Sequence, residues 1–305
     1  MKMAGFASGS ISPIVEGLDL VNYPPVSNKA IWVDSNGIGR ADGTRNTPYT
    51  TIAAALAKAA TGDTILIAAG HTENLSAATT FAISTAGITI IGLGTGNRIP
   101  TFSATADVGA VMITAANSVL QNLKFVANVT DGAVQAIDLS AAADGTIIRN
   151  CVFRDTTATK EWLKHIDIAT TIANVVIEGC DFTTAAGSMT SSIFFTGTSD
   201  HCTIRNNRWQ VDASASVIDH LTGVATRLMI YGNRIVNIDT DAGLVVGVKS
   251  DSTSTGIIYD NYIQSPKAGA AVLAATNDFF VAQNFASNNI NTSGVLDPGA
   301  DTYAT

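Results

Sequence analysis

Large apolar residues recur along this chain at an almost constant interval. A short phrase appears as GTIIRNCVFRDT at 145–156, NVVIEGCDFTT at 174–184, HCTIRNNRWQV at 201–211, RLMIYGNRIVN at 227–237 and TGIIYDNYIQS at 255–265. Aligned on its last large apolar residue, the column reads Phe125, Phe153, Phe182, Trp209, Ile235, Ile263, Phe285, with steps of 28, 29, 27, 26, 28 and 22 residues. Five positions earlier stands Leu120, Ile148, Ile177, Ile204, Ile230, Ile258, Phe280. Two positions before the anchor the column is Leu123, Cys151, Cys180, Asn207, Asn233, Asn261, Gln283, so two cysteines share a place with three asparagines. A further strand signal separates the phrases, near Met112, Ile137, Ile166, Phe194, Ile218, Val245 and Leu273. Two or three short strands per repeat, parted by Gly, Asn, Asp, Ser and Thr, leave no room for a helix in each unit.

This pattern predicts an all-β fold, a single right-handed parallel β-helix, in which each repeat is one coil and equivalent residues stack along parallel ladders ~4.8 Å apart. The coils number about nine if GDTILIAAG (62–70) and GITIIGLG (87–94) are the first two. Trp209 falls in the inward column, and Trp32 at the start of the first coil is also expected in the core. Thr50 or Thr51 is a plausible N-cap for an Ala-rich capping helix near 50–60, which would cover the open end of the core. Residues 1–30 read as an extended N-terminal arm, 31–291 as the β-helix and 292–305 as a C-terminal tail.

Composition narrows the functional classes. Apolar residues make up 46% of the 305 and charged residues 14%, enough for a large core, and no apolar run reaches membrane-spanning length. Seventeen Lys and Arg against 25 Asp and Glu give a net charge of −8 without any basic block, which argues against nucleic-acid binding. Three cysteines without paired spacing suggest neither a disulfide framework nor a zinc site, and folding in a reducing cytoplasm is expected. No cofactor and no metal are expected.

Two outward columns bear on assembly. One runs Gln121, Arg149, Glu178, Arg205, Tyr231, Tyr259, an ion ladder followed by a tyrosine stack. Beside it, Val119, Ile147, Val176, Thr203, Met229, Ile257 and Phe279 form an apolar stripe that alternation also turns outward. Either the stripe is a subunit interface, or a twist or bulge turns it partly inward. The interface expectation rests on Val119, Ile147, Val176, Met229, Tyr231, Ile257, Tyr259 and Phe279, as in a side-by-side homotrimer.

The segment IWVDSNGIGRADGTRNTPYTTIAAALAKAATGDTILIAAGHTENL (31–75) resembles the entry segment of right-handed parallel β-helix proteins of the pectin-lyase-like superfamily, in a short form found among tailed-bacteriophage virion proteins. The resemblance spans roughly residues 31–291 and implies the fold more than an activity, since the superfamily includes lyases, hydrolases, tailspikes and inert structural proteins. VIDH (217–220) resembles a pectate lyase signature, but the arginine-rich element and aspartate cluster that accompany it are missing, and SVIDHL aligns as one more ladder copy. The polygalacturonase elements are missing as well. Asp138 and Asp167 should stack in adjacent coils, with Asp219 two coils on, as an acidic stripe or a paired-carboxylate site. Trp162, beside Lys160, Lys164 and His165, is the candidate sugar platform, and His71 is expected to pin a turn. Gly92, Gly94 and Gly96 mimic a phosphate loop without the Lys-Ser/Thr pair or helix such a loop needs.

With no catalytic constellation, the expectation is a non-enzymatic virion protein made in the host cytoplasm and located on the capsid surface. It would be a capsid decoration protein that grips the major capsid protein through Leu18, Leu20, Val21, Tyr23, Pro24, Pro25 and Val26. The alternative is a tailspike or tail-fibre module that binds or cleaves host polysaccharide.

Overall fold

The computed structural model describes residues 29–296 apart from positions 78, 108, 131, 170, 186, 188, 221, 222, 241–244, 251, 252, 267–270, 275–278 and 289–292. It is an all-β, right-handed-type parallel β-solenoid with almost no helix. The first sheet has ten strands, from Ala30–Val33 to Phe279–Ala282. The second has ten, from Thr72–Leu75 to Ser293–Leu296, and the third eight, from Ala82–Ile83 to Ala271–Ala274. Three two-residue strands, Ile172–Ala173, Ser199–Asp200 and Ala225–Thr226, form a small fourth sheet. With eight strands in the third sheet, fewer than the expected nine coils engage all three. The chain leaves Ala30–Val33 through the cap before re-entering the first sheet at Thr64–Ile67, and it reverses at the far end, where Ser293–Leu296 runs antiparallel to Asn284–Asn288.

The cap is one short helix, Ile52–Leu56, shorter than the stretch expected at 50–60. Thr51 is extended and its side chain accepts the Ala54 N–H at 3.3 Å. Glu73 Oε2 takes the Ile52 N–H at 2.8 Å and lies 3.2 Å from His71 Nε2, while His71 Nδ1 accepts the Ser35 N–H at 2.9 Å. His71 therefore pins the entry loop to the helix start. Ile52 and Ala55 are buried in the same core cluster as Ile31 and Phe81.

Inward columns fill the bore. Phe125, Phe153, Phe182 and Trp209 stack ring on ring, with centroid separations of 5.4, 4.7 and 4.8 Å. Between the first and second sheets the chain turns through a single left-handed residue: Asn122, Asn150, Gly179, Asn206, Gly232, Asp260 and Gln283 all have φ between 53° and 64°. Glycine, asparagine and aspartate tolerate that conformation better than other residues, which explains the column's composition.

The next residue in each coil forms the buried ladder. Nδ2 of Asn207, Asn233, Asn261 and Asn284 donates to the carbonyls of Ile177, Ile204, Ile230 and Ile258 at 2.8–2.9 Å. Each Oδ1 accepts the backbone N–H of the ladder residue one coil back, in Cys180, Asn207, Asn233 and Asn261. Cys180 and Cys151 use Sγ–H as a weak donor in the same way, to Ile148 and Leu120 at 3.7 and 3.8 Å. Burial pushes the Cys180 thiol well above its ordinary pKa, so it stays a neutral donor.

This ladder corrects the last coil. Ile263 pairs with Ala286, Ile258 with Val281, and Asn261 bonds to Asn284, each one residue beyond the expected Phe285, Phe280 and Gln283. Leaving Asn284 out of the ladder would strand Asn261 without its buried acceptor, a larger cost than moving two phenylalanines outward. Trp32 also departs from expectation: it points out of the core, half-buried, with Arg45 5.5 Å over its ring.

The second-to-third corner of one coil is held by a carboxyl group. Asp155 Oδ1 accepts the Trp162 N–H and Oδ2 the Ala185 N–H of the next coil, both at 3.1 Å. Burial raises Asp155 to about 7, aided by nearby Glu161 and opposed by the two amide donors.

Two outcomes test these contacts. Asn233→Ala removes the acceptor of the buried Asn207 N–H and the donor to Ile204, and should cost about 2–4 kcal/mol in denaturant unfolding. Cys180→Asn would offer Cys151 the acceptor that Asn207 offers Cys180, and should leave stability unchanged or raise it by about 1 kcal/mol. Asp155 holds its proton in the folded state but is ionised in the unfolded chain between roughly pH 4 and 7, so its contribution is present at the acid end and lost as pH rises through about 7. Thermal melts of wild type should fall across that window, and Asp155→Asn should flatten the fall.

Candidate functional site

Three surfaces carry the residues singled out by sequence. On the outward face of the third sheet Asp138 and Asp167 are direct partners in adjacent coils, and Asp219 follows beyond Phe194 in the same column. Lys164, one coil beyond Gln135 in the neighbouring column, reaches Asp167 at 2.6 Å, and its ammonium lies 4.3 Å from the Phe194 ring centre. Asp138 is raised above the usual carboxylate range by burial first and the Asp167 charge second, while Gln135 and Lys164 work against the rise. Lys249 pairs in register with Asp219. The column thus runs Asp138, Asp167, Phe194, the buried Asp219 and Lys249, with Lys164 reaching Asp167 from the neighbouring column. Among the described residues no group of three His, Cys, Asp or Glu side chains is placed to hold a metal ion.

The other chemical candidates of this region are structural. Trp162 is fully buried and its Nε1–H donates to the Arg154 carbonyl at 3.2 Å, so it offers no face to a sugar. His165 is enclosed by Phe153 and Phe182 and faces Ser192 Oγ at 2.8 Å; burial lowers its pKa to about 3. In VIDH, Val217 and Ile218 are core, and His220 is buried against Phe195 with Nε2 2.8 Å from Ser199 Oγ. The half-buried Asp155 and the buried Glu161 are not evident from the repeat because both flank a turn of irregular length; the acidic residue directly before Trp162 was the available signal. A shallow cavity of about 290 Å³ lies over the small fourth sheet. Its carboxylate, Asp200, is held near 2 by hydrogen bonds from Arg227 and Thr226.

The first sheet presents the candidate assembly face. Val119, Ile147, Val176, Thr203, Met229 and Ile257 follow in register. The next member is Phe280, not Phe279: Phe279 pairs with Gly256 and is buried at 7% exposure, whereas Phe280 is 61% exposed. The register slip of the last coil causes the exchange. Val119 is buried, Ile147, Val176 and Met229 are half-buried and Ile257 is 39% exposed, so the stripe opens towards the C-terminal end.

Beside it the polar ladder is internally satisfied. Arg149 Nε donates to Gln121 at 2.8 Å, Arg205 Nε to Glu178 at 2.7 Å and Arg205 Nη1 to Tyr231 Oη at 2.9 Å. The half-buried rings of Tyr231 and Tyr259 stack at 4.8 Å. Leu18, Leu20, Val21, Tyr23, Pro24, Pro25 and Val26 lie outside the described residues.

Neither a protein-family model nor a curated protein sequence matches the chain. Solved structures do. A lacto-N-biosidase from Eubacterium ramulus is 12% identical with a TM-score of 0.53, over 84% of this chain and 60% of that one. A pectin methylesterase in complex with a hexasaccharide is 12% identical with a TM-score of 0.50, over 89% and 93%. A pectate lyase is 12% identical with a TM-score of 0.48, over 92% and 82%. At such identity the likeness defines the architecture alone: this chain shares the parallel β-helix fold of the lacto-N-biosidase and the pectin methylesterase.

Proposed function

We propose that this protein is a non-enzymatic virion component, a capsid decoration protein that binds the shell through its N-terminal arm and associates side by side, as a homotrimer, through the outward face of the first sheet. The observation that carries the reading is that face. Ile147, Val176, Met229, Ile257 and Phe280 stand in line beside a polar ladder in which Arg149 bonds to Gln121 and Arg205 to Glu178 and Tyr231. From Ile147 to Phe280 the line crosses six strands, about 24 Å at ~4.8 Å per strand, with the buried Thr203 between Val176 and Met229. The virion setting comes from the sequence resemblance, and the role of the arm from its Leu, Val, Tyr and Pro content between Leu18 and Val26. Support for a non-catalytic reading comes from Asp167, paired with Lys164 on the third sheet, and from Asp155, which accepts two backbone amides at its corner.

A second reading rests on Asp138 and Asp167, adjacent half-buried carboxylates on the outward side of the third sheet, in a fold shared with enzymes named for saccharide substrates. In that reading the chain is a tailspike or tail-fibre module for host polysaccharide.

Titration of purified protein onto capsids stripped of accessory proteins, with tails and oligosaccharides assayed in parallel, separates the two. The expected result is saturation at regular capsid sites, with residues 31–305 keeping the circular dichroism of the full chain but losing at least about 100-fold in affinity, some 2.7 kcal/mol. Undiminished capsid binding by the truncated chain would sink the arm's role. Binding to glycan or tails alone would favour the second reading.

A further inference from the structure

On the second sheet, too, an outward column changes character towards the C-terminal end: Asp181, Arg208, Arg234, Tyr262 and Phe285 follow in register from strand to strand. Its first members are ion-paired, with Asp181 3.2 Å from Arg154 and 3.8 Å from Arg208. Its last members are aromatic. Tyr262 is 40% and Phe285 49% exposed, and the exposed Arg234 holds its guanidinium 5.8 Å from the Tyr262 ring centre. Among the described residues six large apolar side chains are exposed, and four of them, Ile257, Tyr262, Phe280 and Phe285, belong to the last two coils. Ile257 and Phe280 face out from the first sheet, Tyr262 and Phe285 from the second, on either side of the turns at Asp260 and Gln283. Aromatic and arginine side chains gathered at one corner have the composition of a contact between proteins.

We infer that the second-sheet patch of Arg234, Tyr262 and Phe285 receives the first-sheet stripe of a second copy of this chain. This contact rests on the homotrimer reading, and the ring requires it: three copies close through heterologous contacts, in which each offers two different surfaces, and the first-sheet face is one of them. Both surfaces come from the same coils. Tyr231 and Arg234 share one, Ile257 and Tyr262 the next, and Phe280 and Phe285 the last. Rotation about an axis parallel to the solenoid leaves every coil at its own height. Ile257 of one copy then comes to Tyr262 of the next, Phe280 to Phe285, and the Tyr231 and Tyr259 rings to the Arg234 guanidinium, so apolar, ring-on-ring and cation-over-ring contacts are each matched in kind. One coil towards the N-terminal end the same rule sets Arg205 against Arg208, whose side chains are 38% and 59% exposed, so like charges bound the contact on that side.

Two paired variants test the contact by sedimentation velocity from roughly 1 to 100 μM, where mass action makes association visible. Ile257→Ser/Phe280→Ser removes the first-sheet side and Arg234→Glu/Tyr262→Ser the second-sheet side, all at exposed positions. Circular dichroism and thermal melts confirm that each chain keeps its fold. Wild type should reach trimer, and each variant should weaken association at least about 30-fold. An equimolar mixture of the two variants should form a dimer and stop there, because each copy keeps one intact surface and the two surfaces are complementary. Asp260, at the turn between the two faces, lies closest to its counterparts in such a ring. Asp260→Asn should therefore tighten association, since asparagine suits the φ of 53° and removes the charge.

Trimers of Arg234→Glu/Tyr262→Ser with undiminished affinity would overturn the second-sheet contact and leave the homotrimer reading standing on the first-sheet face. A mixture of the two variants that stays monomeric while wild type is trimeric would overturn it as well. Weaker trimers on Asp260→Asn would place the turn away from the axis and rule out this arrangement of the faces. A wild-type chain that is monomeric throughout would remove both the contact and the homotrimer, and titration of that monomer onto capsids, with and without the Arg234→Glu/Tyr262→Ser changes, would show whether a different protein occupies the patch.

Discussion

A buried amide that must bond both to the coil behind it and to the coil ahead governs this molecule. Asn207, Asn233, Asn261 and Asn284 each reach back to an isoleucine carbonyl and accept a backbone N–H at the same turn, in a site without exposure to water. A slip of one residue in any coil would leave two such groups unpaired and turn each strand's apolar residues outward, so the register is specified twice over. Once register is fixed, side chains stack in columns and the unit of function becomes a column. The Asp138 and Asp167 column on the third sheet, the charge ladder and apolar stripe on the first, and the column on the second that ends in Tyr262 and Phe285 all have this origin.

The middle coils were legible because two signals agreed there. Between Leu120 and Ile263 the large apolar residue and the Asn or Cys keep a fixed offset, and every pairing matches that offset. In the last coil the signals conflict. DFFVAQNF offers phenylalanines at both registers, and alignment on aromatic size selected Phe280 and Phe285 where the ladder requires Val281, Asn284 and Ala286. Polar satisfaction outranked side-chain volume.

Other features were illegible for different reasons. Trp32 reads as core on hydrophobicity, since alternation alone does not say that an outward position will be covered. Asp155 and Trp162 flank a turn whose length varies between coils, and their partners one coil back, Ala127 and Ala133, give no sign of either role. The stacking of Asp138 on Asp167 was readable from spacing, but not the lysine that neutralises it, because Lys164 belongs to the neighbouring column. A lacto-N-biosidase and a pectin methylesterase share this fold, so the fold alone does not set what the outward columns carry.

One consequence concerns how such a molecule changes over evolutionary time. Successive coils meet through the same three parallel pairings, and most irregular lengths lie in the turns, with one register shift inside a strand between Val245 and Val248. Duplicating or deleting one whole repeat would therefore preserve every contact above and below it, while adding or removing a single residue within a strand would break the ladder. The height of the solenoid is quantised, adjustable by inheritance in increments of ~4.8 Å, and a lineage could lengthen or shorten its reach from a surface without redesigning either end.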